Sequence, residues 1–248
     1  MPVVKLSPEG LHRLPRSGPA IVAVNHTSVV DAFHVLTALY KGGLLPNEPC
    51  GKPDCGLAHG HVRFMATSRL FAAPVLGPLV RRWGMIEVPW AAPAAGALRS
   101  ALRALGRNEI VGIYPEGDVN AATDGSPRRF RPGVAAMAIS CGVPIYPVAH
   151  HDVRRVGSGS VARSLGGALT SIVRRPTVRL EVGEPVQPHE FTGLSVRDVV
   201  DLVQERVTDV WRSISGESSP RLETREPERR CERPSSPGTV AAGCRNFR

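Results

Sequence analysis

Short apolar runs alternate with amphipathic segments along most of the chain. Five of these runs are bounded by glycine, proline or polar residues and predict strands. They lie at 20–24, 85–88, 110–114, 143–148 and 178–182. The apolar segment 64–80 is interrupted by Pro74 and Pro78, which predicts a strand, a turn and a short helix.

Apolar residues at helical spacing predict helices between the strands. The first helix carries Val30, Phe33, Leu36 and Leu39 and should end at Gly42. A second carries Leu98, Leu102 and Leu105, with Arg99, Arg103 and Arg107 on its other face. A third is expected at 134–140, closed by Gly142.

A last helix is predicted to start at Ser195, since Asp198 stands three residues later in a capping arrangement. One side of this helix carries Val196, Val199, Val203, Val207, Val210 and Ile214. Alternating strands and helices predict an α/β fold with a mixed central sheet flanked by helices. We expect one domain over 1–215.

Two segments predict irregular structure. Residues 157–167 are rich in glycine and serine, which is typical of a mobile loop. From 216 to 248 the chain is dominated by serine, proline, glutamate and arginine. Such a composition cannot offset the entropy of ordering, so we expect a disordered C-terminal tail.

Composition narrows the classes of partner. The aromatic share is only 5%, which argues against a surface that stacks single-stranded bases, and no nucleic-acid recognition motif occurs. The net charge is +9, and all but three of the 31 basic residues are arginine. We therefore expect an anionic partner, such as a phospholipid surface, coenzyme A or an acidic carrier protein, but no nucleic acid.

The cysteines and the apolar runs bear on location. Five scattered cysteines do not form a disulfide framework, which favours a reducing, cytoplasmic setting. No run reaches the ~20 apolar residues that span a bilayer, and the N-terminus has no apolar stretch of signal-peptide length. We expect the protein to act on a membrane from its surface.

The candidate chemistry lies in the segment from Asn25 to Asp31. A strand leads into His26, and Asp31 follows five residues later near a helix start. A carboxylate there can accept a hydrogen bond from one imidazole nitrogen and leave the other free to take a proton. No Gly-x-Ser-x-Gly segment supplies a nucleophile, so the nucleophile is expected to come from the substrate.

The motifs of the chain resemble those of the glycerolipid acyltransferases typified by 1-acyl-glycerol-3-phosphate acyltransferase. The first block of that family, Asn-His, four residues, then Asp, is matched by Asn25-His26 and Asp31. Three further elements follow in order at 114–117, 129–133 and 143–148, and 64–88 is similar to the segment leading into the second block. The resemblance covers about residues 15–190.

The resemblance implies direct acyl transfer from acyl-CoA or acyl-carrier protein to a lysolipid hydroxyl, with no other cofactor and no metal. His26 would be the base and Asp31 would orient it. The implied substrate-binding residues are Glu116, Gly117, Arg128, Arg129, Arg131 and Pro144. The implied location is the inner face of the plasma membrane, as a peripheral protein.

Two departures from the family pattern concern the acceptor. The second block of the family ends in a phosphate-binding arginine, and Trp90 stands there. The third block continues Thr-Arg-Ser, whereas this chain has Asp118-Val119-Asn120. The acceptor is therefore expected to differ from lysophosphatidic acid, or else its phosphate is held by other arginines.

Alternatives remain for several features. Cys50, Cys55, His59 and His61 form a Cys/His-rich segment whose spacing matches no usual zinc motif. The pair at 150–151 is interpreted as two histidines at a strand end, and its alternative role is a second base. The 99–107 arginine stripe is interpreted as a solvated helix face, and its alternative role is contact with membrane phosphates or coenzyme A. The competing functions are an inactive lipid- or acyl-CoA-binding protein of the same fold and an acyl-CoA thioesterase.

Overall fold

An eight-stranded, mostly parallel sheet organises the part of the chain that the computed structural model describes. The described residues are 5–28, 31–46, 61–74, 76–89, 95–120, 125–151 and 177–216. The strands are β1 (Lys5–Glu9), β2 (Ala20–Val24), β3 (Leu45–Pro46), β4 (His61–Thr67), β5 (Ile86–Val88), β6 (Ile110–Ile113), β7 (Ile145–His151) and β8 (Thr177–Val182).

The described residues also contain seven helices and a 3-10 turn at Leu11–Arg13. They are α1 (Asp31–Lys41), α2 (Ser68–Ala72), α3 (Leu76–Arg82), α4 (Ala95–Leu105), α5 (Gly133–Cys141), α6 (Pro188–Phe191) and α7 (Val196–Ser215). The expected α/β class, with a mixed sheet flanked by helices, is confirmed.

The strand order places β2 in the middle of the sheet. Along the main path the order is β1-β8-β7-β2-β6-β4-β3, and β5 pairs with β4. All pairs are parallel except β7 with β8. Because β2 is flanked by two strands that come much later in the chain, the carboxyl ends of β2, β6 and β7 meet at one edge. In open α/β sheets such an edge is where ligands bind.

The core lies on both faces of the sheet. β2 is buried along its whole length, and its side chains alternate between the faces. Ile21 and Ala23 pack with apolar residues of α4, α5 and α7. Val22 and Val24 pack with residues of α1, α2 and α3 on the other face.

Local signals set several boundaries. Gly142 ends α5 in the left-handed conformation, at φ 60°, and Ser195 and Asp198 form the predicted capping box of α7. Two details differ from the expectation: Val196 is exposed on α7, whereas Trp211 is buried on its apolar side.

Some expectations fall outside the described residues. These are the loop at 157–167, the tail after 216 and most of the Cys/His-rich segment. The domain boundary near 215 stays a prediction.

Gly112 sits where β6 is closest to an aromatic ring. An added Cβ would come within 2.6 Å of the Phe64 ring, which is 2% exposed. We expect Gly112→Ala to lower the free energy of unfolding in urea by about 1–3 kcal/mol through overpacking. Gly96→Ala on α4 is the matched control, because its Cβ meets open space. Equal stability of the two variants would contradict this packing.

Candidate active site

The turn between β2 and α1 carries the two residues that the sequence singled out. His26 follows the end of β2, and Asp31 is the first residue of α1. The Asp31 amide donates to the Ser28 carbonyl at 3.1 Å, which closes the turn and starts the helix. Asp31 is fully buried, whereas the His26 side chain is 18% exposed at the edge of the sheet.

The carboxylate of Asp31 holds the imidazole in one orientation. Nδ1 of His26 lies 3.1 Å from Oδ2 of Asp31. The amides of Thr27 and Ser28 donate to the same oxygen at 2.6 and 2.8 Å. Because Oδ2 can only accept from the ring, Nδ1 carries the hydrogen and Nε2 keeps its lone pair. His26 is therefore set up as a proton acceptor.

Asp31 is ionised although it is buried. Burial raises the pKa of its carboxyl, but His150 and His26 beside it more than offset this, and the pKa falls well below the usual 3.8. The position of Asp31 at a helix N-terminus also favours negative charge. A fixed negative charge next to Nδ1 stabilises the imidazolium that forms when Nε2 takes a proton.

An aromatic ring covers one face of His26. The Tyr114 ring is stacked on the imidazole, with centroids 4.3 Å apart and planes 24° apart. Phe64 lies behind Tyr114, at 5.6 Å between centroids. Burial, and next the charge of Asp31, raise the pKa of Tyr114 well above 10, so the phenol stays neutral. The ring thus restricts the imidazole without adding charge.

Glu116 and its neighbours hold the backbone of His26. Oε1 of Glu116 accepts from the His26 amide at 2.9 Å, and the Asn120 amide donates to the His26 carbonyl at 2.7 Å. Burial raises the pKa of Glu116, while amide donors from His26 and Arg128 lower it in part. Glu116 therefore joins the loop after β6 to the turn after β2.

The arginine segment lies against the same loop. The Arg131 amide donates to the Pro115 carbonyl at 2.8 Å. The Arg131 side chain packs over Gly117, where a Cβ would collide with it and where φ is +74°. Arg128, Arg129 and Arg131 are all exposed. Arg131, which packs on Gly117 next to Glu116, is therefore a cation available at the rim of the site.

Several other residues that the sequence singled out do not lie near His26 and Asp31. Pro144 precedes β7, and its carbonyl accepts from the Ile21 amide, so it lies at the opposite edge of the sheet. His61 begins β4 at that edge too. Arg99, Arg103 and Arg107 are exposed, as expected for a solvated helix face.

Trp90, Cys50, Cys55 and His59 lie outside the described residues. Among the residues that are described, no group of three His, Cys, Asp or Glu side chains could hold a metal ion.

Two contacts of the site were missed by sequence reasoning. His150 does stand at the end of β7, as interpreted, but its Nε2 lies 3.2 Å from Oδ2 of Asp31. The Asn25 side chain bonds the backbone of His150 at both its N–H and its C=O. These contacts depend on the parallel pairing of β2 with β7, which brings together Asn25 and His150, 125 positions apart in the sequence. Short sequence patterns do not indicate which strands pair.

Comparisons with known proteins show the family and the fold. The model of the family described as "Acyltransferase" matches residues 5–151. The comparison with curated proteins returned no match. The fold is similar to the crystal structure of the 1-acyl-sn-glycerophosphate (LPA) acyltransferase PlsC from Thermotoga maritima. The TM-score is 0.63 at 21% sequence identity, over 88% of this chain and 75% of that chain.

No helix among the described residues is both long enough and apolar enough to cross a bilayer.

The ionised Asp31 predicts a pH-dependent stability. Its pKa is lowered by folding, so its contribution is present above pH 3.8 and is lost as the pH falls further. Burial lowers the pKa of His150, but its interactions with Asp31, Asn25 and Glu116 together raise it overall, so its contribution is present below pH 6.5 and is lost as the pH rises. We expect the stability difference between wild type and Asp31→Asn to be largest between these two values.

Chemical denaturation across the pH range measures this difference. Asp209→Asn is the control, because it removes an exposed carboxylate on α7 and should leave the stability unchanged at every pH. A difference between wild type and Asp31→Asn that does not vary with pH would contradict the ionised pair.

Proposed function

We propose that this chain, which belongs to the acyltransferase family, transfers a fatty acyl group from a thioester to the hydroxyl of a lysolipid. The donor is acyl-CoA or acyl-carrier protein. The observation that carries the proposal is the arrangement of His26, whose Nδ1 is bound by a buried carboxylate while the ring reaches the edge of the sheet. A general base held this way activates a hydroxyl brought by the substrate.

The transfer follows as one acid–base cycle. Nε2 of His26 takes the hydroxyl proton of the acceptor while the hydroxyl oxygen attacks the thioester carbonyl. The tetrahedral intermediate then collapses, the carbon–sulfur bond breaks, and the thiolate takes the proton from the imidazolium. Asp31 stays ionised throughout and stabilises the imidazolium between the two steps.

The described residues favour a substrate nucleophile over an acyl-enzyme. Their one free cysteine, Cys141, ends α5 and lies three residues before Pro144, at the edge of the sheet opposite His26. Burial raises the pKa of its thiol, which lowers its reactivity further. The group that attacks the thioester is therefore the acceptor hydroxyl.

The exposed Arg131 at the rim of the site supports an acceptor that carries an anionic head group. Arg131 packs on Gly117, next to Glu116, and its guanidinium is exposed. A guanidinium suits a phosphate or carboxylate, to which it donates two parallel hydrogen bonds. We infer that Arg131 takes over the anion contact of the family arginines that Val119 and Trp90 replace. The protein would meet such acceptors as a peripheral protein on an anionic membrane surface.

Thiol release from palmitoyl-CoA tests the reaction. With a panel of lysolipid acceptors, we expect release that requires an acceptor and falls at least about a hundredfold in His26→Ala, since that variant lacks the general base. His189→Ala is the control, because His189 is exposed on α6 and should leave the rate unchanged.

The other outcomes separate the competing functions. Thiol release without an acceptor, with free fatty acid as the product, would identify a thioesterase. Absence of release with every donor and acceptor, together with binding of palmitoyl-CoA, would identify an inactive binding protein of this fold.

The role of Arg131 gives a second test. We expect Arg131→Gln to raise KM for an anionic acceptor about tenfold or more, because a charge-assisted hydrogen bond is lost, with little change for an uncharged acceptor. Arg99→Gln is the matched control, since Arg99 is an exposed arginine on α4. An equal rise in KM for both acceptors would contradict an anion contact.

A further inference from the structure

A second imidazole contacts the carboxylate that orients His26. His150 is the penultimate residue of β7 and is fully buried. Its Nε2 lies 2.8 Å from the Asn25 carbonyl oxygen and 3.2 Å from Oδ2 of Asp31. Both partners can only accept from the ring, so Nε2 carries a hydrogen and donates to them.

The register of two strands brings His150 to this place. β2 and β7 pair in parallel with Val24 opposite Val148, so the residues just beyond this pair continue side by side. The side chain of Asn25 accepts from the His150 amide at 2.9 Å and donates to the His150 carbonyl at 3.1 Å. Three hydrogen bonds therefore join Asn25 to His150 at the start of the turn between β2 and α1.

The contact with Asp31 closes a ring of donors around one oxygen. Oδ2 is approached by the amides of Thr27 and Ser28 and by the rings of His26 and His150. Oδ1 has no hydrogen-bond partner in the described part of the chain. The plane of the carboxylate is therefore set by donors on Oδ2 alone, and His150 supplies the one that comes from β7.

The direction of the pKa shift of His150 is consistent with its contact with Asp31. Burial lowers the pKa of His150, but Asp31, its hydrogen bonds and Glu116 raise it overall. The favourable interactions of His150 with Asp31, Asn25 and Glu116 together outweigh the cost of burying the ring. Among the described residues, His26 and His150 are the two histidines that contact this carboxylate.

We propose that His150 is a positioning residue for acyl transfer, which holds the Asp31 carboxylate in the plane that accepts the Nδ1 hydrogen of His26. It acts through Asp31 and touches neither substrate. This role rests on the proposed function. Without the donor from β7, the carboxylate turns about its side-chain bonds and the imidazole loses its fixed orientation.

Paired substitutions at position 150 test the donor. His150→Leu fills a similar volume without a donor, whereas His150→Gln places an N–H close to the position of Nε2. We expect His150→Leu to lower kcat about 10- to 100-fold with KM nearly unchanged, and His150→Gln to recover most of that loss. His151→Gln is the matched control, since His151 is the next residue on β7 and lies against Trp211.

A double-mutant cycle separates positioning from packing. If His150 acts through Asp31, His150→Leu should have no further effect on kcat when it is added to Asp31→Asn. Multiplicative losses in the double variant, or equal losses in the Leu and Gln variants, would overturn the proposal.

The tautomer of His26 can be measured without enzymatic turnover, so this test does not depend on the proposed function. ¹⁵N chemical shifts of the His26 ring, at mildly alkaline pH, report which nitrogen carries the hydrogen. We expect hydrogen on Nδ1 in the wild type and in His150→Gln, and a mixture of tautomers in a folded His150→Leu. Unchanged His26 shifts in His150→Leu would overturn the positioning role even if no acceptor is found. Shifts that change as expected in a protein without transferase activity would leave the positioning contact standing and reject the reaction.

Discussion

The buried carboxylate of Asp31 is the interaction on which the site depends. A charge inside a protein is stable only when nearby donors replace the water it has lost. Here the donors are two amides of the turn and two imidazoles, all on one oxygen. The bonds that stabilise the charge are therefore the bonds that hold Thr27 and Ser28 against Asp31 and orient His26. Local folding and base chemistry at this turn are a single physical requirement.

The parallel sheet adds long-range contacts to His26 that the local turn does not provide. His26 follows β2, Glu116 follows β6 and His150 lies near the end of β7, and the parallel pairing of these strands brings all three to one edge. Glu116 binds the His26 amide, and His150 binds the carbonyl that precedes it. The backbone on both sides of His26 is thus fixed by neighbouring strands. His26, the proposed base, is held by long-range contacts as well as by its local contact with Asp31.

Much of this was predictable from sequence because it is local. Strands β2 and β4 to β8, the glycine end of α5 and the cap of α7 follow from short patterns, whereas β1 and β3 were not predicted. The family resemblance is confirmed. His26 and Asp31 share one segment, so their pairing was predictable too. The contact of His150 and the stack of Tyr114 depend on which strands are neighbours, and short patterns do not encode that. The same gap explains why a motif match drew Pro144 into the site although it lies at the other edge.

The proposed base and the rim of the site are held by different contacts, which explains how the proposed acceptor-binding residues can change while His26 and Asp31 are retained. Asn120 occupies a substituted position, yet its backbone still donates to His26, and its side chain bonds the Ser126 carbonyl. Asp118 is exposed and accepts from the Val119 amide, so its charge faces solvent rather than the carboxylate of Asp31. Substitutions at 118–120 therefore alter the rim at little cost to the His26–Asp31 pair, because this part of the loop supports His26 through the backbone N–H of residue 120, which every residue type except proline retains. A change at Asp31 has no such freedom, since four donors converge on its side chain.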